Sequence, residues 1–346
     1  MMSLRTEIFE QPTVLRRWLE TQWENVQRIA QAIREREIAY VFLAARGTSD
    51  HAGVYAQYVW GAQNRLPVAF AAPSLFTLYA DAPRLPHALV VGVSQSGQSP
   101  DVVSVIESGR KQGVLTLAIT NALDSPLART AEFTLTLQAG VEQAVAATKT
   151  YTAELMAIAA LSVALTNNQD QLTALSRIPA AVEQALALDS EAERIAQQHA
   201  AMTRCVVLGR GYNYASAQEW ALKLKELAYV FSDPYSAADF QHGPLAIVER
   251  GFPVLAMAPS GAVLADVLML LRRLRDEQGA ELLVISDDDE ALQVGHASLR
   301  LPSGVPEWLS PLVSIVPAQL YCYHLTRAKG YDTEAPRSIR KVTLTR

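Results

Sequence analysis

From Val90 to Asp101 the chain reads VVGVSQSGQSPD. The apolar run Val90 to Val93 has the pattern of a strand buried on both faces. Ser99-Pro100-Asp101 has the pattern of a helix start: a serine suited to the N-cap, a proline at the first helical position where its missing N–H costs nothing, and an acid in the first turn. The polar run between them, Ser94-Gln95-Ser96-Gly97-Gln98-Ser99, is therefore placed at the carboxyl end of a parallel strand and the amino end of a helix. Ligands bind there in open α/β sheets. Free backbone N–H groups and the positive end of the helix dipole, about half a charge, favour an anion at such a place. Ser94, Gln95, Ser96 and Ser99 surround it with neutral donors.

The flanking sequence repeats the strand, turn and helix pattern. An amphipathic start over 12–36 is followed by IAYVFLAARGTS, a strand ending in a glycine turn, and DHAGVYAQYVWGAQ at helical period. The runs PVAFAAP, ALVVGVS, VLTLAIT and FTLTLQA alternate with helical stretches, so about five parallel strands fill the first half. In the second half RCVVLGRGYNYASAQEWALKLKELAYV repeats the opening unit, with Arg210-Gly211 in the place of Arg46-Gly47. FPVLAMAPS, AELLVISDD and HASLRLP supply further strands, and a last apolar helix is expected over about 309–328. The expected domains are a helical segment over 1–36, one α/β unit over 37–167, a glycine-free helical linker over 168–200, a second unit over 201–330 and a tail over 331–346.

Composition narrows the function classes. A chain of 346 residues, half of them hydrophobic, buries a large core, and its net charge of −5 argues against a polyanion binder. Cys205 and Cys322 lie in apolar segments without metal-ligand spacing. With no uninterrupted apolar span and no signal-peptide core at the start, the reading is a cytoplasmic protein that engages neither membrane nor nucleic acid. VLGRGYNY lacks the third glycine of a dinucleotide fingerprint, GVSQS puts Ser96 where a nucleophile elbow needs glycine, and a P-loop Gly-Lys-Ser is missing.

Three further places carry candidate chemistry. Lys223 and Glu226 are three apart in a helical segment and share a face; alone, such a pair is a surface ion pair worth a few tenths of a kcal/mol, about 0.2–0.5. His242 precedes Gly243-Pro244, a backbone that fixes an imidazole closely. Lys341 lies in a basic tail of a kind that is usually solvated. His51, His87, His199, His296 and His324 read as structural.

Four segments in order, SQSGQS, EWALKLKELAYV, DFQHGPLAIV and PRSIRKVTL, resemble the sugar isomerase (SIS) family, which includes the isomerase half of glucosamine-6-phosphate synthase. The resemblance covers nearly the whole chain after the first helix. It implies two tandem SIS domains, each a five-stranded parallel sheet flanked by helices in a flavodoxin-like α/β/α arrangement, working as a homodimer on a hexose 6-phosphate. It further implies a phosphate held by Ser94, Gln95, Ser96, Gly97 and Ser99, with Thr48 and Ser49 near the sugar. Glu226 becomes the base moving a proton between C-1 and C-2, Lys223 a polar partner of the substrate, His242 a ring-opening group supplied by the neighbouring subunit, and Lys341 a cover over the open-chain sugar.

The sequence departs from the synthase. It shows no counterpart of the glutaminase half, its loop continues as Ser-Gly-Gln-Ser-Pro-Asp where the synthase has an acid and no proline, and Arg340 precedes the tail lysine. These features are similar to stand-alone deaminases of the family. The expected function is conversion of glucosamine 6-phosphate, or a close amino sugar phosphate, to fructose 6-phosphate and ammonia, with no metal or organic cofactor. The alternatives are a synthase-type isomerase using free ammonia or a separate glutaminase, a deglycase of sugar phosphate amines, and a non-catalytic phosphosugar sensor.

Overall fold

The structure, a computed structural model, describes residues 3–341. Strands β1 (Tyr40–Ala44), β2 (Val68–Phe70), β3 (Ala88–Val93), β4 (Leu115–Thr120) and β5 (Phe133–Thr136) form one parallel sheet in the order β2-β1-β3-β4-β5. A second parallel sheet has the order β10-β9-β8-β6-β7, built from β6 (Arg204–Gly209), β7 (Phe231–Ser236), β8 (Pro253–Met257), β9 (Glu281–Ser286) and β10 (Ala297–Arg300). Counted within each half, both orders are 2-1-3-4-5, the doubly wound order of flavodoxin-like sheets. β3, β4 and all but the first residue of β6 and β9 are buried, as near-continuous apolar runs between two helical layers require.

The helices are α1 (Leu4–Arg34), α2 (Thr48–Asn64), α3 (Ser74–Thr77), α4 (Pro100–Lys111), α5 (Pro126–Thr130), α6 (Lys149–Thr166), α7 (Gln169–Ser176), α8 (Ile178–Leu186) and α9 (Asp189–Gln198). They continue as α10 (Asn213–Ala228), α11 (Ala237–Phe240), α12 (Leu264–Asp276), α13 (Asp289–Val294) and α14 (Ser310–Ala328). Two compact units result. The first holds residues 13–142 and 149–176 with 340 and 341; the second holds 3–12, 143–148 and Arg177–Ile339. In the first, α6 packs on α2 and is buried from Lys149 to Ala164. In the second, α14 packs on α8, α9 and α10 and is buried from Ser310 to Thr326. A helix apolar on all sides belongs inside such a core.

Two elements differ from the sequence expectation. α1 begins at Leu4, eight residues before Pro12, because Ser3 Oγ accepts the Thr6 N–H at 3.2 Å and the Glu334 carboxylate accepts the Leu4 N–H at 3.1 Å. These end contacts hold a helix start that Pro12 alone would have moved downstream. The fifth strand of the second sheet is β7, whose sequence FSDPYS shows no apolar run. It lies at the sheet edge beside β6, where Pro234 is tolerated. No helix among the described residues is long and apolar enough to cross a membrane.

His199, at the end of α9, shares a proton between Nδ1 and the Tyr321 hydroxyl at 2.7 Å and lies 3.6 Å from Glu281. Burial holds its pKa below the ordinary histidine range, opposed by Glu281. A depressed folded-state pKa means stability that is present above about pH 6.5 and is lost as pH falls below it. Urea denaturation at pH 7.5 and 5.5 is expected to show a smaller loss for His199→Gln than for the wild type; equal losses would remove His199 from the account.

Candidate active site

In the first unit β1 and β3 are neighbours whose connections leave on opposite sides of the sheet, so a crevice opens at their carboxyl ends. The residues of interest leave from those two ends. Ser94 anchors the loop after β3: its N–H donates to the Ile119 carbonyl at 3.1 Å, while its own carbonyl and Oγ both accept the Gly97 N–H at 3.1 Å. Gly97 turns with φ +61°, and a Cβ there would lie 2.1 Å from Ser125 Oγ, so only glycine closes the turn against β4 and α5. The Gln95 carbonyl accepts the Asn121 N–H at 3.1 Å, and Ser96 Oγ accepts the Gln98 N–H at 3.3 Å.

Ser99 takes the N-cap position of α4, with its carbonyl accepting the Val103 N–H at 3.0 Å, yet its hydroxyl makes no capping bond. Asp101 meets part of that need through Oδ1, which accepts the Val102 N–H at 2.9 Å. The Ser99 hydroxyl is thereby left without a partner among the described residues. A serine in a polar loop beside a helix dipole, its donor unspent, suits an incoming anion.

Thr48, half-buried, opens α2 directly after the glycine turn of β1. Ser49 is buried and donates to Glu154 on α6 at 2.7 Å, so its hydroxyl is engaged in the core and only its lone pairs remain to be offered. Lys341 lies in the same unit, with Nζ 2.5 Å from the buried carboxylate of Glu142. That carboxylate also accepts the Thr150 N–H at 3.1 Å and hydroxyl at 2.7 Å, and Lys149 Nζ donates to the neighbouring Val141 carbonyl at 2.7 Å. Lys341 is thus held by an ion pair, whereas a basic tail of this kind is usually solvated.

Two ion pairs went unread in the sequence, Arg46 with Asp101 and Lys341 with Glu142. Asp101 is fully buried and accepts from Arg46 Nε at 2.6 Å, which parks a half-exposed guanidinium at the first turn of α4 beside the serine loop. Glu142 holds Lys341. Arg46 drew notice only as part of the repeat, and an acid 199 residues from its lysine carries no sequence signal.

In the second unit α10 buries Lys223 between two acids, with Nζ 3.2 Å from Glu219 and 2.6 Å from Glu226. Glu219 is completely buried, whereas the Glu226 side chain retains 24% of its exposure and forms the accessible end of the triad. Burial pulls the ammonium's pKa down, but the two carboxylates raise it by more, so Lys223 stays charged. The pair is therefore not the solvated i,i+3 contact that spacing alone allows. His242 is exposed on the turn after α11, its N–H bonded to the Asp239 carbonyl at 3.0 Å and its ring without a partner among the described residues.

Duplicated doubly wound halves, with a neutral serine loop at a switch point and a charged Glu-Lys-Glu triad on a helix, define a doubly wound α/β protein with a candidate anion site. Family comparison gives the narrower statement: the chain matches the SIS domain over residues 36–164 and 199–328, and it belongs to that family. It is 32% identical over 336 residues to glutamine–fructose-6-phosphate aminotransferase (isomerizing) of Aquifex aeolicus, a match covering 97% of this chain and 56% of that protein. The chain thus spans little more than half the length of this relative. Among solved structures it resembles the C-terminal domain of glucosamine-fructose-6-phosphate aminotransferase from Francisella tularensis, with TM-score 0.86, 28% identity and coverage of 96% and 98% of the two chains. It shares its fold with glucosamine-6-phosphate deaminase from Thermotoga maritima, with TM-score 0.81, 21% identity and coverage of 99% of both chains.

Ser96→Ala and Ser99→Ala are each expected to weaken binding of a hexose 6-phosphate by about 1.5–3 kcal/mol, the range for a hydrogen bond to a charged group. Calorimetric titration checks this. Unchanged affinity in both variants would move the phosphate site elsewhere.

Proposed function

We propose that the protein is an isomerase and deaminase of a 2-amino-2-deoxyhexose 6-phosphate, glucosamine 6-phosphate or a close analogue, releasing the ketose 6-phosphate and ammonia. The observation that carries this reading is the α10 triad. A buried, permanently charged Lys223 fixes Glu226 as an accessible carboxylate in one orientation, which is what a base serving two adjacent carbons requires. A sensor of phosphosugars needs the cradle but has no use for a positioned base.

The roles follow the chemistry. The cradle of Ser94, Gln95, Ser96, Gly97 and Ser99 holds the phosphate through neutral donors and the α4 dipole. His242 assists opening of the ring. Glu226 takes the proton from C-2 of the open-chain aldose amine and returns it to C-1, which gives the ketose imine. Water adds at C-2, and ammonia leaves. Lys341, drawn from its pair with Glu142, closes over the open chain. Family resemblance assigns His242 to the neighbouring subunit, so the active form in this proposal is a homodimer.

Deamination is preferred over amination because of the loop sequence Ser-Gly-Gln-Ser-Pro-Asp and Arg340 before Lys341. The synthase direction, with ammonia from elsewhere, is the second reading; it draws on the aminotransferase name of the relatives.

Glu226→Gln preserves shape and hydrogen-bonding reach but cannot take the proton. Turnover is expected to fall by about 10²–10⁴ with phosphosugar binding retained, measured as ammonia release across a panel of amino sugar phosphates. If the wild type binds these compounds but turns none of them over, the sensor reading replaces the enzyme. For the shared site, mixing Glu226→Gln with His242→Asn under subunit exchange is expected to restore part of the activity that neither variant has alone. Demonstrated exchange without recovery would refute a partner-supplied histidine.

A further inference from the structure

Duplication leaves a second switch point, between β6 and β8, that the proposed reaction does not use. Six residues join β8 to α12, as six join β3 to α4. The two loops align without a gap, Ala258-Pro259-Ser260-Gly261-Ala262-Val263 over Ser94-Gln95-Ser96-Gly97-Gln98-Ser99. The register has a structural check: the Ala258 N–H donates to the Ile285 carbonyl at 2.9 Å, as the Ser94 N–H donates to the Ile119 carbonyl at 3.1 Å. An Arg–Asp pair flanks each loop, Arg46 with the buried Asp101 and Arg210 3.2 Å from the exposed Asp266, which lies one position further into its helix than Asp101 does.

What fills the two cradles differs. Glu307, in the short turn before α14, reaches into the second one, and its Oε2 accepts the Ala262 N–H at 2.7 Å. A Cβ on Gly261 would lie 2.2 Å from the Glu307 Cδ and 2.4 Å from its Oε2, so this loop needs glycine to admit the carboxylate. The other carboxylate oxygen lies 4.0 Å from where a Cβ on Gly211 would stand, at the glycine turn that follows β6. Glu307 therefore places its charge between the two strand-end turns. A second acid, Asp287, accepts the Ser260 N–H at 2.7 Å. The hydroxyls of Ser94 and Ser99 have become Ala258 and Val263, whose side chains offer a ligand no hydrogen bond.

We propose that the second unit retains an anion-binding cradle and that the Glu307 carboxylate occupies it as a built-in anion, closing it to phosphate. A carboxylate on a loop amide ahead of α12 gains from the same N–H groups and helix dipole that hold a phosphate. While it is there, a phosphate meets both its bulk and its charge. The first cradle takes the external anion and the second is satisfied from within the chain, whatever reaction the first one serves.

The test uses inorganic phosphate and the full chain. Calorimetric titration of Glu307→Ala is expected to show one more equivalent of phosphate per chain than the wild type binds, and that increment should persist when Ser96→Ala and Ser99→Ala disable the first cradle. Glu307→Gln keeps the size and the bond to Ala262 but not the charge; phosphate is expected to raise its Tm by more than it raises that of the wild type. A folded Glu307→Ala with no added equivalent overturns the proposal. If that variant does not fold, equal phosphate-induced shifts in Glu307→Gln and wild type overturn it instead. Failure here leaves the reading of the first cradle standing, because that reading is tested by the serine variants alone.

Discussion

The serine loop of this chain depends on the crossing-over of connections at the switch point of a 2-1-3-4-5 sheet. Where two adjacent parallel strands send their helices to opposite faces, neither helix covers the strand ends. Backbone N–H groups and helix dipoles then converge on a gap that the fold itself does not fill. In the first unit the gap receives Arg46-Gly47-Thr48-Ser49 from β1 and the serine loop from β3. The positions of these residues follow from strand length and turn geometry; their chemistry is what the sequence adds.

The charges in these units are paired before any substrate arrives. Lys223 with Glu219 and Glu226, Lys341 with Glu142, and Arg46 with Asp101 each join at least one buried group. Removing one partner of a buried pair typically costs about 3–5 kcal/mol, because the other charge is left uncompensated. Such pairs contribute little net stability against an apolar alternative. Their effect is to hold a carboxylate or an ammonium at one place and in one ionisation state. In the proposed function the serine loop works the other way, with neutral donors, so an anion can enter and leave without displacing a counter-charge.

Duplication shows how sensitive this arrangement is to a few side chains. The β3–α4 and β8–α12 loops have one length and one glycine position, yet hydroxyls in one are replaced by alanine and valine in the other. The resulting need for an acceptor at the second loop is met by Glu307 and Asp287.

Much of the fold was legible because parallel strands and their covering helices declare themselves locally. Buried apolar runs, the Ser99-Pro100-Asp101 start and the repeated strand, glycine turn and helix gave nine of the ten strands among the described residues directly. The one without its own signal, β7, exists through pairing to β6 and carries the polar and proline residues of an edge. The serine loop was legible for the same local reason. Contacts between distant positions were not: Arg46 to Asp101, Glu142 to Lys341 and Glu307 to Ala262 depend on where the chain returns to itself. Sequence alone set Lys223 and Glu226 on one helical face, since that follows from helical period. Only the packed structure added Glu219 and buried the lysine, turning a pair of surface type into a fixed triad, because burial is a property of what surrounds a helix and not of its spacing.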